Sequence, residues 1–411
     1  MSHPTEHIAM SEAKLSIDLN PQRGGLSPFA LGFRPFFLGA GVAALSLMGA
    51  WLAVLAGVLA PPGYYLGTTW HAHEMLFGYV GAVIVGFLLT AVRNWTGMPT
   101  PSGARLAALF GLWFAARLAP FLGLPGVLIA ALDLAFFPLL ALGLVHPLWR
   151  GDNRTNRVFL ALFAGMTLAA LLVHLEALGF AAGTARLGDR LMLDLAVLTL
   201  LIVSGRIMSF FTERGVPGSR PRTRRPVEVA TFALATALTL AHLGAEIAGT
   251  WGADLTTGLA AVLALVQVLR LWGWHDPRAW ADPMLAVLYA GYLWLILGLA
   301  LDALAGLGWL LPFPALHALT AGAFGVFTLG MMTRVTLGHT GREVRGDALT
   351  SLAFVLINVA ALARVLPPLV APGAYGTWLP ISGALWMLAF AVFLWVYAPM
   401  LLRPRIDGMP G

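Results

Sequence analysis

Ten histidines and no cysteine set the metal chemistry open to this chain. Without thiols there is no disulfide, no thiolate zinc or copper centre, no Cys-ligated iron–sulfur cluster and no covalently attached c-type haem. Neutral imidazole is the strong donor that remains, and it suits haem iron, copper or zinc. The densest run is Trp70-His71-Ala72-His73-Glu74-Met75. It is not the HExxH zinc signature, because position 77 is Phe. Side chains two apart on a helix point to nearly opposite sides, so His71 and His73 serve one ligand only if His71 sits in a non-helical cap. Glu74 is either a carboxylate bonded to a ligating imidazole or a capping group at a helix N-terminus. His242 and Glu246 are four apart and share a helix face, whereas His174 and Glu176 do not. Taken singly, each histidine is most simply a hydrogen-bonded structural residue. As a group, His71, His73, His174, His242 and His317 point to a metal or cofactor, because they fall at one depth with Glu74, Asp133, Glu176, Asp194, Glu246 and Asp302.

That common depth follows from the elements that carry these residues. The 411 residues are 59% hydrophobic and only 11% charged. A soluble domain carries roughly 25% charged residues, so the solvent here is largely lipid. The net charge of +6 therefore gives no indication of nucleic acid. A bilayer needs about 20 apolar residues per helix. Twelve such spans are expected near 36–59, 70–92, 104–122, 124–148, 157–181, 190–212, 227–248, 253–273, 281–305, 313–335, 347–371 and 377–401. The third and fourth are divided only by Gly123-Leu124-Pro125. With both termini inside, all but four of the 25 basic residues fall on the cytoplasmic side; Arg117, Arg186, Arg190 and Arg364 are the exceptions. The fold class is thus an all-α integral membrane protein of about twelve helices. It comprises a cytoplasmic tail at 1–33, a twelve-helix domain at 34–402 and a second cytoplasmic tail at 403–411. The N-terminal tail carries Glu6, Glu12 and Asp18 without an apolar core, so it does not read as a signal peptide.

A weak internal repeat suggests three four-helix units about a pseudo-threefold axis. Thr90, Thr212 and Thr333 each follow a pair of large apolar residues near the inner end of the second, sixth and tenth spans, just before an arginine. Glycines such as Gly78, Gly81 and Gly86 on the second span read first as close helix packing.

Several segments together resemble the NnrS family. They are Leu31-Gly-Phe-Arg-Pro-Phe-Phe37, Trp70-His-Ala-His-Glu-Met-Leu-Phe-Gly78, Gly86-Phe-Leu-Leu-Thr-Ala-Val92, Asn94-Trp-Thr-Gly97, Leu316-His-Ala-Leu-Thr320 and Thr328-Leu-Gly-Met-Met-Thr-Arg-Val-Thr-Leu-Gly-His-Thr-Gly-Arg342. Arg93 stands where the family tends to have proline. The resemblance covers nearly the whole chain. It implies a multi-pass bacterial inner-membrane protein that binds haem and copper and belongs to nitric-oxide metabolism and defence against nitrosative stress. Three functions stay open: a redox enzyme reducing nitric oxide to nitrous oxide, a transporter or metal-handling protein, and a non-catalytic haem sensor or sink. An enzyme would need an electron donor, a quinol or a periplasmic cytochrome.

The residues suggest where such groups would sit. A copper-type site near the outer face is expected from His174 and His242, with Glu246 bonded to the ligating ring. Haem b, held only by ligation and packing, is expected between the second and tenth spans. Its axial imidazoles would be His317 and, from the second span, His73 in preference to His71, which is a cap or binds a second metal. Met75 and Met331 are weaker alternatives. Gly78, Gly81, Gly322 and Gly325 would leave room for the macrocycle. Arg206, which lies within the sixth span, and Arg334 are candidates for cofactor binding, the latter through haem propionates.

Overall fold

The computed structural model describes residues 25–248 and 253–409. The tail expected at 1–33, with His3 and His7, lies largely outside the described residues. Among those described there are twelve helices long and apolar enough to cross a membrane, and no strand. They are α1 (Phe33–Leu55), α2 (Thr69–Thr96), α3 (Gly103–Phe121), α4 (Gly126–Arg150), α5 (Arg154–Ala177), α6 (Thr184–Gly215), α7 (Arg225–Glu246), α8 (Asp254–Trp274), α9 (Pro283–Gly306), α10 (Pro312–His339), α11 (Ala348–Val370) and α12 (Pro372–Leu402). Helices satisfy every backbone polar group within the segment, which hydrocarbon demands. Their limits are chemically marked. Asp282 accepts the Met284 N–H at 2.9 Å at the head of α9, Asp347 accepts the Thr350 N–H at 2.7 Å at the head of α11, and Gly97 ends α2 at φ 67°.

Three helices form the centre. The most apolar stretches of α2, α6 and α10 are 89%, 89% and 78% buried, against 28% for α7 and α8. Between them lies a small apolar pocket of about 50 Å³ lined by residues such as Ile84, Leu200 and Phe327. Tyr79 of α2 bonds Thr328 of α10 at 2.5 Å. Around this core, α1 packs on α2, α5 on α6 and α9 on α10, while α12–α1, α4–α5 and α8–α9 contacts close the ring. The packing therefore has the three-unit plan suggested by the repeat. Its marker threonines are structural: Thr90, Thr212 and Thr333 each donate to the carbonyl four residues earlier, at 3.0, 2.7 and 2.8 Å.

Close approach is carried by glycine. A Cβ on Gly322 would lie 2.6 Å from the Trp294 ring, and one on Gly325 would lie 2.5 Å from Trp386. On α2, Arg117 lies 3.2 Å from the Cβ position of Gly78. Gly78, Gly322 and Gly325 therefore serve close packing against arginine and tryptophan side chains, and do not supply the room for a macrocycle expected of them. Arg34 closes the ring. One guanidinium nitrogen donates to the carbonyls of Met400, Leu401 and Arg403 at 3.2, 3.1 and 2.5 Å, satisfying the end of α12 from α1.

The bundle has two chemically different ends. The even-numbered helices begin at an end that carries His71, His73, His174, His242 and His317; the opposite end carries most of the arginines.

Candidate metal centres

Two of the central helices change hydrogen-bond pattern just after a histidine. α2 turns π-helical over Glu74–Val80, immediately after His73, and α10 does so over Ala318–Phe324, immediately after His317. Wider π turns are poorer helices and persist mostly at functional sites. The equivalent helix α6 has no such segment. The same geometry separates His71 from His73. His71 stacks on Trp51 of α1, with centroids 4.5 Å apart and planes at 9°, while His73 faces α4 and α5.

His73, Asp133 of α4 and His174 of α5 form a buried group whose donor atoms lie within 4.8 Å of one another. Both Nε2 atoms lie 3.1 Å from the same oxygen, Asp133 Oδ2. Behind the rings, Tyr64 Oη is 2.9 Å from His174 Nδ1, and His73 Nδ1 meets Glu74 Oε1 at 3.2 Å and Tyr65 Oη at 3.3 Å. With the ring protons on Nδ1, donated to Tyr64 and to Glu74, both Nε2 lone pairs would face the Asp133 side, an arrangement that a cation between them satisfies; otherwise each Nε2–H donates to Asp133. Arg117 of α3 pairs with Glu74 at 3.1 Å and makes a short contact with the other oxygen of Asp133.

The charges here do not balance. Asp189, at the start of α6, is in electrostatic range of His73, and its Oδ1 is buried without a partner, as is Glu74 Oε2. Glu74 and Asp133 share one guanidinium, which leaves one negative charge if the imidazoles are neutral. Buried unpaired carboxylate oxygens are costly. A divalent cation between two imidazole nitrogens and a carboxylate would answer both the charge and the converging lone pairs.

A second cluster, between α6, α7 and α9, holds His242. Its Nδ1 is 2.9 Å from Asp194 Oδ2, and its Nε2 is 3.6 Å from Asp302 Oδ2. Arg190 pairs with Asp194 at 3.3 Å and Asp302 at 3.2 Å, and its Nη2 touches His242 Nε2 at 2.5 Å. A guanidinium against an imidazole repels a metal cation and takes the place it would occupy. Glu246 turns away to Arg186, at 2.5 Å. The expected pairing of His174 with His242 and Glu246 is therefore corrected. α5 and α7 both pack on α6 but belong to different clusters, and equal depth did not mean a shared site.

The third cluster joins α1, α2, α10 and α11. His71 and Arg364 both lie in electrostatic range of His317. His317 Nδ1 is 2.7 Å from the Phe313 carbonyl and must donate to it, so Nε2 carries the lone pair. The described residues offer the His71 ring stacking on Trp51 but no hydrogen bond. The expected preference is thus reversed: His71, not His73, is the helix-two imidazole that shares surroundings with His317.

Arg206 and Arg334 stand elsewhere. Arg206 lies over Trp95 at 4.4 Å and donates to Asn156 at 2.7 Å; Arg334 lies over Phe211 at 4.0 Å. From His317 to Arg334 the helix rises roughly 25 Å, so neither arginine is beside the histidine clusters. Met331 lines the apolar pocket at the centre of the bundle.

The family's sequence pattern, described as NnrS protein, matches residues 27–405. The chain belongs to the NnrS family. It is a nitric-oxide-related, multi-pass membrane protein. No curated protein matches the chain. For this NnrS-family member, sequence reasoning missed Tyr64, Tyr65, Arg117, Asp189 and Arg364 as site residues. A signal existed: Arg117, Arg190 and Arg364 are three of the four arginines that break the positive-inside pattern, and each belongs to one cluster.

Proposed function

We propose that this chain is a redox enzyme of the bacterial inner membrane that consumes nitric oxide, using a metal at His73–Asp133–His174 and a haem b between His71 and His317. The observation that carries the reading is the first cluster: two buried imidazole nitrogens converge at 3.1 Å on one carboxylate oxygen in a pocket with surplus negative charge. Its nitrogen and oxygen donors suit a borderline divalent ion. Copper is the ion the family implies, although two histidines and one carboxylate would also hold non-haem iron. The histidines of the third cluster suit haem. They come from two helices, the His317 lone pair is freed by the Phe313 carbonyl, and no cysteine is available for covalent attachment.

A redox metal and a haem would together supply the two electrons that convert two nitric oxide molecules and two protons to nitrous oxide and water. A quinol or a periplasmic cytochrome would return them. The residues present do the rest. Tyr64 and Glu74 hold the ring protons at Nδ1 and so fix both imidazoles, and Arg117 holds Asp133 and Glu74 in place. The burial of His73, Asp133 and His174 excludes bulk water. With the arginine-rich end on the cytoplasmic side, both termini are cytoplasmic and the clusters lie towards the periplasm. Removal of nitric oxide there would protect against nitrosative stress.

Metal and haem analysis of protein purified in detergent, with a reduced-minus-oxidised spectrum and nitric-oxide turnover under a chemical reductant, tests this. The expected result is one haem signature, one further metal and nitrous oxide as product. Metal and haem without turnover would make the chain a sensor or sink. Absence of both would leave a transporter.

A further inference from the structure

The three arginines at the histidine end are not alike. Arg117 pairs with Glu74 and Asp133, and Arg190 pairs with Asp194 and Asp302. Arg364 has no carboxylate partner among the described residues; its side chain lies 5.2 Å from the centre of the Tyr375 ring. The sequence explains why. α1, α10, α11 and α12 contain no aspartate or glutamate, and neither do the segments 56–68 and 307–311 beside them. The one acidic residue on α2, Glu74, is turned to Arg117. Arg364 is therefore a half-buried permanent cation within an apolar span, in electrostatic range of His71 and His317 and with no anion supplied by the helices around it. A guanidinium at that depth is costly unless something negative meets it.

We propose that Arg364 binds a carboxylate of the ligand seated between His71 and His317, namely a haem propionate. The inference rests on the haem reading of that cluster. Side chains already in contact assemble the corner: His317 bonds the Phe313 carbonyl, the Phe313 ring meets Tyr375 edge-on at 5.6 Å, and Tyr375 lies under Arg364. The arginine, on α11, is thus tied through Tyr375 and Phe313 to His317 on α10. A planar guanidinium takes a carboxylate through two parallel N–H bonds, which lysine cannot copy. In the other two clusters the protein provides both signs of charge; here it provides only the positive one and leaves the negative to the ligand.

The test uses full-length protein in detergent, reconstituted with protohaem, and compares wild type with Arg364→Gln, Arg364→Lys and the loop control Arg345→Gln. Haem retention against apomyoglobin and the haem midpoint potential are measured. Arg364→Gln should lose haem at least about tenfold more readily, the equivalent of one charge-assisted bond. It should also lower the midpoint, because removing a nearby positive charge favours the ferric state. Arg364→Lys should restore most of the midpoint but only part of the retention, and Arg345→Gln should match wild type. If wild type binds haem and Arg364→Gln keeps its retention and midpoint, the proposal is overturned while the haem reading stands. If wild type binds no protohaem, both fall together.

Discussion

The first and second histidine clusters are built from nearly the same parts, yet they differ in what they leave unsatisfied. Each combines histidine, aspartate and arginine at the same end of the bundle. Around His242, Arg190 reaches both carboxylates and the imidazole, so the group closes on itself. Around His73 and His174, Arg117 lies on the far side of Asp133. Two imidazole nitrogens are left on the near side, and two buried oxygens, on Glu74 and Asp189, remain without partners. The position of one guanidinium separates an internal salt-bridge cluster from a candidate metal centre. The backbone makes the same distinction, since α2 turns π-helical at His73 whereas α6 stays α-helical past Asp194.

The sharpest way to break this comparison is to remove the shared carboxylate. Asp133→Asn keeps the shape but not the charge, and we expect metal content to fall at least about 100-fold, the upper end of what an outer partner alone costs. Full metal content by elemental analysis would mean the ion is bound elsewhere. A smaller effect is expected behind the ring: Tyr64→Phe frees His174 Nδ1 and should weaken metal binding about tenfold, with the fold intact. If affinity is unchanged, the tyrosine only packs there. The second cluster should respond in the opposite way. Asp302→Asn is expected to leave metal content at the wild-type level while lowering stability by about 1–3 kcal/mol, since Arg190 and His242 lose a partner. Loss of metal in that variant would show that the two clusters are one site.

The smallest effect concerns a carboxylate that caps a helix. The Thr350 N–H bonded to Asp347 holds its carboxyl below the usual range. A lowered pKa means that the stabilisation is complete above the ordinary carboxylate value and is lost as pH falls through the lowered one. Asp347→Ala should therefore cost about 1 kcal/mol near neutrality, and the gap in thermal unfolding should close in acid. A gap that stays constant with pH would assign the loss to packing.

Much of the architecture was legible because lipid imposes it one segment at a time. Twelve spans follow from runs of apolar residues, and all twelve are found among the described residues. The repeat at Thr90, Thr212 and Thr333 was readable for a similar reason, since each central helix meets the same packing demand and answers it with the same back-bonded threonine. Depth could also be read from the sequence, because a residue's distance from its helix end fixes its height in the bundle. Rotation about each helix could not. Asp133 was one of six carboxylates at that height, Arg117 only an exception to the positive-inside pattern, and His174 looked like a neighbour of His242.

By itself, then, the sequence determined the solvent, the number of helices, the absence of thiol ligands and the height at which five histidines would stand. Only the tertiary structure decided which of them meet. It sent His71 towards His317 and His73 towards His174, although a single alanine lies between them. It also set Arg190 against His242 and kept Arg117 behind Asp133. The physical reason is that burial and length are properties of one helix, while a ligand set is a property of the angles at which several helices pack. Those angles depend on contacts between residues far apart in the chain, such as Gly322 against Trp294 and Arg34 against the end of α12.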